Sequence, residues 1–130
     1  EQLEEYIHQE YMDSMYYEKM AEVAPSLSAK KILLFFSEDE KNHAQKFQGI
    51  YHLLTGKQMT IPSVEEIVID SYQDALRERA LAEAEDYKRY GEQYMKAPTV
   101  YFQDLFFATK NVEAQHSMRL SFLFQESSEE

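Results

Sequence analysis

The sequence predicts an all-α protein, a four-helix bundle built from two repeated helical hairpins. Three observations carry that prediction. Apolar residues follow helical spacing through four long stretches, residues 1–24, 27–55, 70–96 and 100–125. Only 3 Gly and 3 Pro interrupt 130 residues, and two of the prolines fall in short Ala-Pro breaks between those stretches. The second half also repeats the first. A shift of 73 residues (113 − 40) lays Glu113 on Glu40, His116 on His43, Glu83 on Glu10, Asp86 on Asp13, Tyr90 on Tyr17 and Ala97-Pro98 on Ala24-Pro25.

The first helix carries Leu3, Ile7, Glu10, Tyr17, Met20 and Ala24 at helical spacing, so Glu10 sits within an otherwise apolar stripe. Ala24-Pro25-Ser26 ends it, and Ser26 or Ser28 caps the second helix. So short a link makes the two helices antiparallel neighbours. The second helix turns Ile32, Leu33, Phe36, Glu40, His43, Phe47, Ile50 and Leu54 inward, and Gly56 supplies a left-handed stop.

Residues 55–70 form the one long link. Ser63-Val64-Glu65-Glu66 has capping-box spacing, so residues 64–70 read as a short helix or as the first turns of the third. Extended at about 3.3 Å per residue, the link can cross a bundle ~35–40 Å long, which would make the second and third helices parallel. Exchange of hairpins between two chains is the alternative. The third helix carries Leu76, Glu83, Asp86, Tyr90 and Tyr94. After Ala97-Pro98-Thr99 the fourth places Phe102, Phe106, Glu113, His116, Leu120 and Leu123 inward, and the polar tail from Gln125 is expected to fray.

Composition narrows the function classes. The length suits one domain, residues 1–130, and 44% apolar content suits a packed core despite a net charge of −11. That acidic balance argues against nucleic acid and suits cations, although solvated helix faces account for most of the charge. With no cysteine the chain has no disulfide and no thiolate metal site. No apolar run reaches the ~18–20 residues of a membrane span and no signal peptide is read, so a cytoplasmic location with no membrane partner is expected.

Glu40-x2-His43 and Glu113-x2-His116 each place a carboxylate and an imidazole one turn apart on a single helix face. The lone Glu precedes its pair by 30 residues in both halves (40 − 10 and 113 − 83). Four carboxylates and two imidazoles inside an apolar bundle would be costly without cations to compensate them. One Glu from each of two helices and a Glu-x2-His from each of the other two is the ligand set of a carboxylate-bridged di-metal centre. Oxygen-rich ligation with one imidazole per ion suits two Fe, or Mn. The bland reading of either pair alone is an exposed, salt-bridged helix face.

Asp13 and Asp86 each follow a ligand Glu by three residues. They read as extra ligands, as carboxylates that orient His43 and His116, or as solvated helix residues. Tyr17 and Tyr90, seven residues after Glu10 and Glu83, are expected to donate hydrogen bonds to the ligand carboxylates, with core packing as the alternative. His8 and His52 lack the repeat and read as surface or packing residues.

On these residues the chain resembles the rubrerythrin branch of the ferritin-like superfamily. The resemblance rests on Glu10 with Tyr17, Glu40-x2-His43, Glu83 with Asp86 and Glu113-x2-His116, and spans nearly the whole chain. It implies an up-down-down-up bundle, a di-iron centre and an oxidoreductase acting on hydrogen peroxide or dioxygen. Rubrerythrin carries a Cys-rich rubredoxin domain that feeds electrons to the irons. Here no cysteine exists, so a separate electron-donor protein is implied. Rubrerythrin also has an extra Glu on one side only, where this chain has Asp86 with Asp13 matching it; in this the chain is similar to the more symmetric, rubredoxin-free relatives. The leading expectation is a peroxidase of rubrerythrin type acting as a homodimer, with hairpins paired within or between chains. A ferroxidase that hands iron on, and a structural module with a vestigial site, are the other two readings.

Overall fold

The computed structural model describes residues 2–59, 61 and 66–128. Among them are four α-helices and no strand, as expected: α1 Gln2–Glu22, α2 Leu27–Thr55, α3 Tyr72–Lys96 and α4 Val100–Ser128. The chain divides into two compact units, Glu1–Asp70 with α1 and α2, and Ser71–Glu130 with α3 and α4. Within each, the two helices pack against one another as a hairpin.

In the first unit, α1 stops at Glu22, two residues before the expected end. Pro25 biases Ala24 away from helical geometry, and the last turn tightens into bonds from Val23 N to Met20 O and from Ala24 N to Ala21 O. Ser26, extended at φ −136 and ψ 157, caps α2 by accepting from Ala29 N at 3.1 Å. Replacing that hydroxyl removes one helix-end acceptor. Ser26→Ala is therefore expected to cost about 1 kcal/mol, visible as a Tm lower by roughly 4 °C in a helical circular-dichroism melt. Gly56 closes α2 in the left-handed region at φ 72, its N–H donating to His52 O at 2.8 Å.

The hairpin is antiparallel, since partners on α2 descend as those on α1 rise. Tyr6 meets Phe47 with ring centroids 5.6 Å apart, Ser14 Oγ donates to Ser37 O at 2.9 Å, and Tyr17 meets Phe36 edge-on at 5.5 Å. Ile7, Met20, Leu33, Ala44 and Ile50 complete a buried layer. The same register corrects the inward placement of Leu54, which is 66% exposed. With Tyr6 opposite Phe47, no described residue of α1 lies across from the last turn of α2. Ile32 lies at the edge and is half-buried.

In the second unit, Ser71 caps α3 by accepting from Asp74 N at 3.2 Å. Of the capping box read at 63–66, residues 63–65 lie outside the described residues. Residues 66–69 carry no regular structure, so α3 does not begin upstream of Tyr72. Thr99 Oγ1 accepts from Phe102 N at 3.3 Å to start α4. That helix continues to Ser128 rather than fraying at Gln125. Ser127 and Ser128 hydroxyls donate to the carbonyls of Phe124 and Gln125, both at 2.8 Å, and satisfy acceptors of the final turn.

The two hairpins fill equivalent positions with different volumes. Leu33 and Phe36 correspond to Phe106 and Thr109, and all four are buried. The large ring has moved by one turn, and its tyrosine follows it. Tyr17 packs edge-on against Phe36, whereas Tyr90 stacks on Phe106 at 6.1 Å. Ser14 and Ser37 correspond to Tyr87 and Lys110, where a Lys Nζ lies 5.2 Å from the ring centroid. Each hairpin packs its own set of side chains at these positions, which is why the repeat is faint in apolar positions.

Candidate metal centre

Glu10 reaches the interior of the first unit from the apolar stripe of α1, between Ile7 and Tyr17. Glu40 and His43 descend from α2 one turn apart, on the face that also carries Phe36 and Phe47. Both glutamates are 0% exposed and His43 is buried. His43 Nδ1 lies 2.7 Å from Glu10 Oε1 and 3.7 Å from Glu40 Oε1. The three side chains each offer a ligand atom, all within 4.8 Å of one another.

The second unit repeats the arrangement. Glu83 of α3 and Glu113 and His116 of α4 are buried, with both glutamates 0% exposed. His116 Nδ1 lies 3.3 Å from Glu83 Oε2 and 3.9 Å from Glu113 Oε1. Again three ligand atoms fall within 4.8 Å of one another. Each unit therefore holds a buried cluster of two carboxylates and one imidazole that could hold a metal ion. The donors fit a cation: all are hard or borderline, none is a thiolate, and so many buried carboxylates are stabilised by positive charge. The exposed, salt-bridged reading of the Glu-x2-His pairs is excluded by their burial.

Burial also removes the solvated reading of Asp13 and Asp86. Asp13 Oδ1 accepts from Gln9 Nε2 at 2.8 Å, and Asp13 offers a ligand oxygen within 4.8 Å of that of Glu10. Asp86 Oδ1 accepts from the Arg89 guanidinium. Tyr17 and Tyr90 are fully buried, their rings held against Phe36 and Phe106. His52 is exposed beside the Lys57 carbonyl and His8 is half-buried, and neither joins a cluster of metal-ligating groups among the described residues.

Sequence reasoning overlooked two cations. Arg79 Nη2 donates to Glu83 Oε1 at 2.9 Å, and Arg89 holds Asp86. Their positions, four residues before Glu83 and three after Asp86, are ordinary helix ion-pair spacings and were legible as such. For Glu83, burial pushes the carboxyl pKa up. The hydrogen bond and charge of His116, the charge of Arg79 and a hydrogen bond with Glu113 outweigh that and hold it below the usual 4.5. A carboxyl so depressed stabilises the fold above its unfolded value, and that contribution is lost as pH falls through the folded one. Chelated protein is thus expected to lose urea resistance as pH drops below 4.5, and Glu83→Gln to flatten that dependence.

Compared with family models, with curated proteins and with solved structures, the chain matches none. Among the described residues no helix is long and apolar enough to cross a membrane.

Proposed function

We propose that the two clusters come together as one carboxylate-bridged di-metal centre in a ferritin-like bundle of the rubrerythrin type, and that the protein reduces hydrogen peroxide there, or less readily dioxygen. The observation that carries this reading is the duplication. The same buried pair of glutamates with an inward histidine Nδ1 is built twice from unrelated core residues around it. Iron is the proposed metal and manganese the substitute, on the oxygen-rich donor set. The half-sites meet within one chain or, with hairpins exchanged, across a homodimer.

Reduction of peroxide to two waters consumes two electrons and two protons. When bound, a ferrous pair supplies those two electrons, and a separate electron-donor protein restores them. The chain's own residues do the rest. Glu10, Glu40, Glu83 and Glu113 hold the charge, and His43 and His116 fix the geometry through Nδ1. The packed rings of Tyr17 and Tyr90 exclude water, and their hydroxyls are proposed to steady the carboxylates and pass protons inward.

Metal content comes first. The reading expects two ions per chain after anaerobic ferrous loading. Stopped-flow mixing of the reduced protein with peroxide and with dioxygen then distinguishes peroxidase from ferroxidase. Oxidation by peroxide no faster than that of free ferrous ion would overturn the peroxidase reading.

A further inference from the structure

Besides the face it buries, α4 carries a second, outward band. Val100, Phe107, Asn111, Ala114, Met118 and Phe122 fall on one stripe about 80° wide at 3.6 residues per turn. It lies on the side of the helix away from buried Glu113, His116 and Leu120. Val100 is 70% exposed, Met118 65% and Phe122 62%. The hairpin itself does not require such a band. At a shift of 73 residues (111 − 38), the same stripe of α2 reads Leu27, Leu34, Glu38, Lys41, Gln45 and Gly49. Charged and polar residues and a glycine thus stand in the first unit where the second has Asn111, Ala114, Met118 and Phe122.

We propose that this face of α4 docks a second copy of the chain, antiparallel, about a two-fold axis at Asn111. The inference does not rest on the metal reading. From Val100 to Phe122 the stripe runs ~33 Å without a charged residue, so two chains of net charge −11 can bring it together without burying like charges. The stripe is also self-complementary, as a two-fold contact demands. Val100 and Phe122 stand eleven residues to either side of Asn111 (111 − 100 and 122 − 111), so each Val100 meets the other copy's Phe122. Phe107 falls opposite Ala114, a ring against a small side chain, and the two Asn111 amides face one another at the axis. The flanking charges agree with this register. Exposed Asp104 and Arg119 lie on one edge of the stripe, seven and eight residues from Asn111 (111 − 104 and 119 − 111). The axis therefore brings each Asp104 beside the other copy's Arg119. A guanidinium has five donors and takes this carboxylate in addition to partners in its own chain. On the opposite edge, Lys110 Nζ lies 5.2, 5.9 and 4.7 Å from the ring centroids of Tyr87, Tyr94 and Phe107, which anchors its charge within its own copy. One pair of helices is a small interface, so the dimer is reversible and concentration-dependent.

Sedimentation equilibrium over a concentration series, on the full chain with and without chelator, tests this. With rising concentration the wild-type protein is expected to reach twice the mass of Met118→Glu and Phe122→Glu. Those two variants alter exposed positions, and circular dichroism checks that they fold. Each should weaken association by more than about a hundredfold, because the contact would bury two unpaired carboxylates. Leu34→Glu, on the matching stripe of α2, should leave association unchanged. Asp104→Arg should weaken it about tenfold, and Asp104→Arg combined with Arg119→Asp, which restores opposite charges, should recover it. A wild-type protein that keeps the mass of Met118→Glu at every concentration would overturn the inference. So would association that neither glutamate variant weakens, the result expected if chains are joined by exchanged hairpins alone, or a reversed charge pair that fails to recover it. No metal ligand is altered in these variants, so their metal content reports separately on the reading above.

Discussion

Chelation of the metal-loaded protein is expected to lower its unfolding temperature by about 15–20 °C. A ligand present at a hundredfold its dissociation constant stabilises the folded state by about 2.7 kcal/mol, so two ions contribute about 5 kcal/mol. For a chain of this length each kcal/mol moves Tm by roughly 3–4 °C. The physical source is the burial of Glu10, Glu40, Glu83 and Glu113, all 0% exposed, together with two buried histidines. Calorimetry of loaded and chelated protein measures the difference directly. Equal melting temperatures would mean that the glutamates are satisfied without metal and that the clusters are structural.

Glu40→Leu is expected to act differently on the two forms. In the presence of metal it removes a buried ligand from the first unit's cluster, so the stabilisation by that unit's ion, about 2.7 kcal/mol, disappears. In chelated protein it removes a fully buried carboxylate at similar volume. His43 keeps Glu10 as its partner at 2.7 Å, so no buried charge is stranded and a like charge is removed, and the metal-free variant should be at least as stable as metal-free wild type. Urea unfolding of both proteins, with and without metal, gives the four values required. Destabilisation in both forms would mark Glu40 as a partner in a structural ion pair with His43, whose Nδ1 lies 3.7 Å away.

These two results separate a metal centre from a helical module that kept its motif. A vestigial site predicts little change on chelation and a uniform loss on mutation. Peroxide and dioxygen would use the same ligands, so the kinetics of the reduced protein separate those two reactions.

Much of this molecule was legible in its sequence because the signals are local. Helix starts and stops follow from Ser26 and Gly56, whose capping and left-handed geometry depend on a few neighbouring residues, whereas the cap of α3 is Ser71 and was not read from the sequence. The buried glutamates and histidines were legible because Glu40 with His43 and Glu113 with His116 share a helix face by spacing alone, and the 73-residue repeat (116 − 43) marks both pairs. What the tertiary structure decided depends on which residue of one helix meets which residue of its partner. The register that puts Tyr6 on Phe47 leaves Leu54 exposed, and terminal serine hydroxyls carry α4 to Ser128. A carboxylate's burial is likewise a property of the packed hairpin, so only packing separated Asp13 and Asp86 from solvated helix residues. The repeat implies two equal half-sites. Only packing brings the Arg79 guanidinium onto Glu83 Oε1 in the second unit.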